Sequence, residues 1–143
     1  GVARSDGTLV TCDHNHVALE NHGGRELWVH RKGALSARAG ELGIVPGSMG
    51  TESYHTVGRG HPESLCSSSH GAGRTMSRGE AQKRISTRDL NRQMRGVWFD
   101  EGVASRLRDE APGAYKDVRQ VMKAQRDLTK IVRRVRPVLA YKG

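Results

Sequence analysis

Aromatic side chains are scarce in this chain of 143 residues: they make up 4% of it, and Phe99 is the sole phenylalanine. Apolar residues as a whole reach 35% and the mean hydropathy is −0.66, lean values for a self-sufficient core. A chain that buries so little is expected to draw stability from a ligand, a metal or further polypeptide. Cysteine is almost absent. Cys12 and Cys66 form no CxxC pair, which excludes a disulfide framework and a CxxC zinc or redox site and agrees with a reducing compartment. No apolar run approaches the ~20 residues needed to cross a bilayer, and no signal-peptide pattern opens the chain. The expectation is a soluble, cytoplasmic protein without a membrane partner. The chain also starts at Gly1 without an initiator Met, as a fragment or processed piece would.

Acidic charge is the other shortage. Lys and Arg number 24 against 15 Asp and Glu, a net charge of +9 and a sequence pI of about 10.3. Such a surplus favours polyanions, because neutralised phosphates release counterions and the field speeds encounter. Glycine, by contrast, is abundant at 18 residues, which predicts many turns and close backbone approaches.

The first 60 residues read as short extended pieces between glycine turns. In Glu26–Arg31, Leu27 and Val29 face one way and Trp28 and His30 the other, the alternation of a strand. Leu42–Val45 is a second short strand that runs into the turn at Pro46-Gly47. Residues 77–95 have helical spacing, with Ser77 and Glu80 matching a capping box. A second start at Ser86-Thr87 points to two short helices or one bent one. Gly96 stops that segment, and Val97–Phe99 is compatible with a strand. Pro112-Gly113 form a turn, after which Val118, Val121, Met122 and Gln125 lie at helical spacing. In the tail, Pro137 rules out a helix interior and the end reads as a strand that leads inward. One α+β (or α/β) domain spanning residues 1–143 is the expected fold class, loop-rich, without repeats or low-complexity tracts.

Three polar stretches offer chemistry. Cys12, Asp13, His14, His16 and His22 carry ligand types that suit zinc, manganese or iron, although an exposed polar strand reads the same way. Strand alternation would put His14 and His16 on one face. In Pro46–Ser53, glycines interleaved with Ser and Thr offer N–H groups and hydroxyls to a phosphate, but no GKS or GKT follows as in a P-loop, and a simple turn fits equally. In Ser67–Glu80, His70 precedes Gly71-Ala72-Gly73, which would let a large substrate approach the imidazole. Arg74 and Arg78 would add charge for a phosphate. A neutral imidazole is a competent nucleophile toward phosphorus; a helix cap or a solvated loop histidine is the plain alternative. Lys142, next to the last residue, reads by itself as a solvated lysine.

These pieces occur together and in order. The chain resembles the C-terminal portion of the RtcB-type RNA-splicing ligases in His14-Asn15, "RKGA" at Arg31–Ala34, "PGSMGT" at Pro46–Thr51, "HGAGR" at His70–Arg74, "MSR" at Met76–Arg78, "DEAPGAYKD" at Asp109–Asp117 and Lys142-Gly143. The resemblance implies an RtcB-like fold and a GTP-dependent ligase that joins RNA 3′-phosphate (or 2′,3′-cyclic phosphate) ends to 5′-hydroxyl ends, in tRNA splicing or RNA repair. It makes His70 the guanylylated histidine and His14 a manganese ligand. It places Asn15, Pro46, Gly47, Ser48, Met49, Ser53, Gly71, Ala72 and Gly73 at the nucleotide, Lys142 at the guanine and Tyr115 near the base. The implied partners are tRNA halves or cleaved RNA, the activating protein archease, and the N-terminal portion of the family domain. That portion holds the family's other metal ligands (an Asp, a Cys and two His), so this chain alone is not expected to ligate. The reading from a different class is a non-catalytic basic RNA- or nucleotide-binding fragment.

Overall fold

The computed structural model describes residues 12–142; the Gly1 start and the closing Gly143 of the resemblance lie outside them. Among the described residues, seven strands and three short α-helices make a mixed α+β architecture. Strands β1 (Asn15–His22) and β2 (Arg25–Lys32) form an antiparallel hairpin closed by Gly23-Gly24. Both glycines have positive φ, +61° and +81°, as a two-residue hairpin turn of matching twist demands. Strand β2 exposes Trp28 and buries Val29 and Arg31, as the alternation in this segment predicts.

Strand β3 (Ala34–Ser36) pairs antiparallel with β6 (Ser67–Ser69), so the segment before His70 lies beside the end of the hairpin. The third sheet runs β4 (Leu42–Pro46), β5 (Ser53–Gly58), β7 (Thr129–Val135), all antiparallel, with a bulge at His55/Thr56.

The helical segment resolves into α1 (Arg78–Arg84) and α2 (Thr87–Gln93), and a third helix, α3, spans Val118–Ala124. The break falls at the second start signal. Ser86 accepts from the Asp89 N–H while the Asp89 carboxylate accepts from the Ser86 N–H, a complete capping box. At Ser77 the hydroxyl accepts from the Glu80 N–H. Val97–Phe99 does not form a strand: Phe99 turns into the core, and Trp98 makes one isolated bridge to Leu139. The tail differs too. Its strand, β7, ends before Pro137, which has no N–H to extend the ladder. Beyond it the chain crosses the surface rather than leading inward, with Val138 and Tyr141 exposed.

Two apolar clusters form the core. One packs Leu90, Met94 and Phe99 with Ala81, Ala104 and Ala111 around the helices. The other packs Leu35, Val45 and Tyr54 with Val118 and Met122, between the sheets and α3. Half-buried Tyr115 touches both. Among the described residues no helix is long and apolar enough to cross a membrane.

Candidate active site

A cavity of about 480 Å³ opens where the hairpin, the β4–β5 turn and the loop after β6 meet. His70 stands in its wall, and one glycine sets its position. The His70 N–H donates to the Gly33 carbonyl at 3.1 Å, and the Gly33 N–H donates to the His14 carbonyl at 3.0 Å. Gly33 has φ +69°, a left-handed conformation that only glycine adopts without strain. Through this single residue the two imidazoles meet edge to face with centroids 4.6 Å apart. Burial, and secondarily the facing His14, hold the His70 imidazole below its usual pKa. The neutral ring, the nucleophilic form, is thereby favoured.

The opposite wall is the turn Pro46–Thr51. The Ala72 N–H donates to the Pro46 carbonyl at 2.9 Å, tying the glycine hinge after His70 to this turn. The turn is not an open anion nest. The Gly47 N–H goes to the Glu52 carbonyl at 3.0 Å and the Ser48 N–H to the Thr51 hydroxyl at 2.7 Å. The Gly50 and Thr51 N–H groups are also directed back, onto the Ser48 hydroxyl and carbonyl. These bonds leave the turn as a stiff wall, and a Cβ at Gly47 would overlap the Thr51 hydroxyl and the Glu52 carbonyl.

Charge gathers on the third side. Buried Glu110 accepts from the Tyr115 hydroxyl at 2.6 Å, pairs with Arg78 at 2.7 Å, and meets Lys142 Nζ at 3.4 Å. Burial raises its pKa, but Tyr115, Lys142 and Arg78 together outweigh that and hold the carboxyl below its ordinary value. Burial and the neighbouring Glu110 push the Tyr115 phenol up. Arg74 does not point its charge at a ligand. Its guanidinium donates to the Met76 and Asp109 carbonyls and to the Tyr115 hydroxyl, and it stacks 4.8 Å from the Tyr115 ring centroid. Arg74 is the strut of this wall; Arg78, mostly exposed, is the cation that faces solvent and cavity.

An imidazole, a glycine hinge and paired cations thus surround a cavity of small-molecule size. The family model described as tRNA-splicing ligase RtcB matches residues 3–143. The chain belongs to the RtcB family. RNA-splicing ligase RtcB of Escherichia coli K12 is 48% identical over 134 residues, 94% of this chain and 32% of that relative. The tRNA-splicing ligase RtcB of Nanoarchaeum equitans is 37% identical over 153 residues, 91% of this chain and 32% of the relative. For the Methanopyrus kandleri protein of the same name the identity is 35%, with 91% and 16% covered. The chain spans about a third of the length of the first of these RtcB relatives.

Most residues that the RtcB resemblance points to line this one cavity: His14, Pro46, Gly47, Ser48, Met49, His70, Gly71, Ala72, Gly73, Tyr115 and Lys142. Two do not. The Asn15 side-chain oxygen Oδ1 lies 2.7 Å from His30 Nε2 across the hairpin, and Ser53 starts β5 opposite Pro46 and Val135. His16 parts from His14 as well. His14 sits in the bend before β1, so alternation begins one residue later, and His16 lines a separate small hollow with Cys12 and Asp13. Gly33 and Glu110 are the residues that sequence reasoning missed. Gly33 stood inside the RKGA match without a role, and Glu110 inside DEAPGAYKD. The same RKGA match holds Arg31, which is buried and paired with Glu20 at 2.6 Å. It also donates to the Leu65 carbonyl and the Ser67 hydroxyl, fixing the hairpin to the segment that delivers His70.

His14 offers one imidazole to a metal. Among the described residues no three His, Cys, Asp or Glu side chains converge as a metal site would require. That donor set does not fit a manganese centre, which needs several oxygen or nitrogen ligands.

Proposed function

We propose that the chain carries the nucleotide-transfer half of an RNA ligase that uses GTP to join 3′-phosphate (or 2′,3′-cyclic phosphate) and 5′-hydroxyl RNA ends. The observation that carries this reading is the place of His70 in the wall of a cavity whose other walls are the 46–49 turn and Lys142. A neutral ring nitrogen of His70 attacks the α-phosphorus of GTP; a P–N bond forms, the Pα–O bond to the β-phosphate breaks, and pyrophosphate leaves. Glycine at positions 71 and 73 keeps side-chain bulk away from the new phosphoramidate. Arg78 supplies positive charge at the mouth, and Lys142, which pairs with Glu110, is the side chain that would contact the base. GMP then passes to an RNA 3′-phosphate, and attack of a 5′-hydroxyl on that activated phosphorus seals the strand and releases GMP. The basic surface suits holding RNA through its phosphates.

Other features of the reading rest on the resemblance: tRNA halves or cleaved RNA as substrates, archease as activator, manganese as metal, and the cytoplasm as location. Manganese would require donors beyond the described set. The test is labelling of the full-length protein with GTP radioactive at the α-phosphate, in the presence of Mn²⁺. Acid-labile, alkali-stable label that disappears in His70→Ala is the expected result. Label that persists in His70→Ala, or no label at all, would overturn it in favour of a basic RNA- or nucleotide-binding module.

A further inference from the structure

Behind the turn that walls the nucleotide cavity lies a second groove of about 490 Å³. Gly47–Met49 face the first cavity, while Gly50, Thr51 and Glu52 face the groove, so one stiff turn separates the two. The groove is cationic. Arg95, Arg119 and Arg136 line it, with Arg134 close by on β7, against the carboxylates of Glu52 and Asp117. Glu52 is buried and organises the set: Arg119 binds it through two nitrogens at 2.7 and 2.9 Å, and Arg134 and Arg136 approach within 3.6 Å. The Arg119 guanidinium, foremost, keeps the Glu52 carboxyl well below its usual range. One shared carboxylate cannot neutralise three guanidiniums, which remain more than half exposed. Arg95 makes no ion pair among the described residues.

At the end of this track the chain presents an indole. Trp98 is 57% exposed, although its backbone is fixed on both sides: its N–H donates to the Val138 carbonyl at 3.0 Å and its carbonyl accepts from the Ala140 N–H at 2.8 Å. Arg95, Gly96 and Val97 line both the arginine groove and the hollow around Trp98, so the two are continuous. Asp100 and Glu101 close the far side and limit the cationic track. Pre-oriented guanidiniums that follow a backbone, beside an exposed aromatic face that accepts a base, are the two components of single-stranded nucleic-acid binding. An acidic protein partner would account for the arginines but not for an indole left exposed on a fixed backbone at the end of their row.

We propose that this groove holds a single strand of RNA. Its phosphates lie on Arg95, Arg119 and Arg136, a base stacks on Trp98, and the strand is led past the 47–52 turn toward the nucleotide cavity. This deepens the ligase reading, on which it rests for the choice of RNA as substrate.

The test uses the full-length protein and a short fluorescent U-rich RNA with 5′-phosphate and 3′-hydroxyl ends. No GTP is added, so the outcome does not depend on labelling of His70. Anisotropy gives affinity across a KCl series. Arg95→Ala/Arg136→Ala is expected to weaken binding about tenfold and to lower the salt slope by about 1.4, at ~0.7 per phosphate on single strands. Trp98→Ala is expected to weaken binding about tenfold with an unchanged slope, since stacking releases no counterions. Unchanged affinity and slope in the double arginine variant overturn the proposal. So does a Trp98→Ala protein with a lowered melting temperature and wild-type RNA affinity, which would mark the indole as a packing surface for other protein.

Discussion

Gly33 is a residue whose worth lies entirely in its backbone. Its N–H and carbonyl hold the main chains of His14 and His70, and its φ of +69° is what allows one peptide to face both. Gly33→Ala meets no steric obstacle, since nothing lies within 4 Å of the new Cβ, so its cost is conformational. Stability is expected to fall by roughly 1 kcal/mol, the cost of the left-handed region for an L-residue. On the proposed reading, GTP-dependent labelling of His70 should also fall, under conditions where the variant is still folded. Gly79, inside α1 and equally open, provides the contrast: Gly79→Ala should stabilise by about 0.5–1 kcal/mol. Chemical denaturation of both variants checks the pair. A residue like Gly33 is hard to read in a sequence, because hydrogen bonds from a glycine to partners 19 and 37 positions away leave no side-chain pattern. His70 could be singled out as a candidate because the chemistry proposed for it sits in its side chain and its neighbours. Arg74 misled for the converse reason: its guanidinium meets carbonyl oxygens at Met76 and Asp109, and carbonyls look alike at every position.

Among the elements, those with local signals were legible and those that depend on distant partners were not. The starts of both α1 and α2 follow from serines whose side chains accept from the N–H three residues ahead. Ser86→Ala loses both bonds of the hydroxyl, from the Asp89 N–H and to the Asp89 carboxylate, and should destabilise by about 1 kcal/mol, whereas Ser77→Ala loses only the hydroxyl bond from the Glu80 N–H. Thermal melts of the two variants, read side by side, should show the larger drop for Ser86→Ala. Strand β7 and the Val97–Phe99 segment were harder. The β-branched run at 129–135 forms a strand because β5 offers an edge, and Val97–Phe99 does not because its one partner is the isolated bridge at Leu139. Strand propensity could not tell these two β-branched or aromatic stretches apart. The 46–53 segment shows the same limit: its Ser and Thr hydroxyls looked available to a phosphate, yet they close the turn on itself.

On the scale of the whole molecule, the lean core is supplemented by buried polar ties. Glu20 and Arg31 join the hairpin to the Leu65–Ser67 segment, and the Arg31 guanidinium above all holds the Glu20 carboxyl down at about 2. Because the folded value lies below the ordinary carboxylate value of 4.5, this stabilisation is complete above that pH. It is lost as pH falls from about 5 toward 2, and amounts to about 3 kcal/mol, at 1.36 kcal/mol per pH unit. Melting followed by circular dichroism should show that loss, and Glu20→Gln should flatten the slope in this window while lowering stability at neutral pH, since Arg31 is left buried without its counter-charge.

Tyr115 gives the molecule a further property. Its ring is shared by both apolar clusters, and its hydroxyl closes the Glu110 network at the cavity wall. Neither cluster can therefore open as an independent cooperative unit without disturbing the other and the cavity together. Amide exchange in α2 and in α3 should slow in parallel when a nucleotide fills the cavity, because a ligand that restrains this one ring tightens two sub-domains at once.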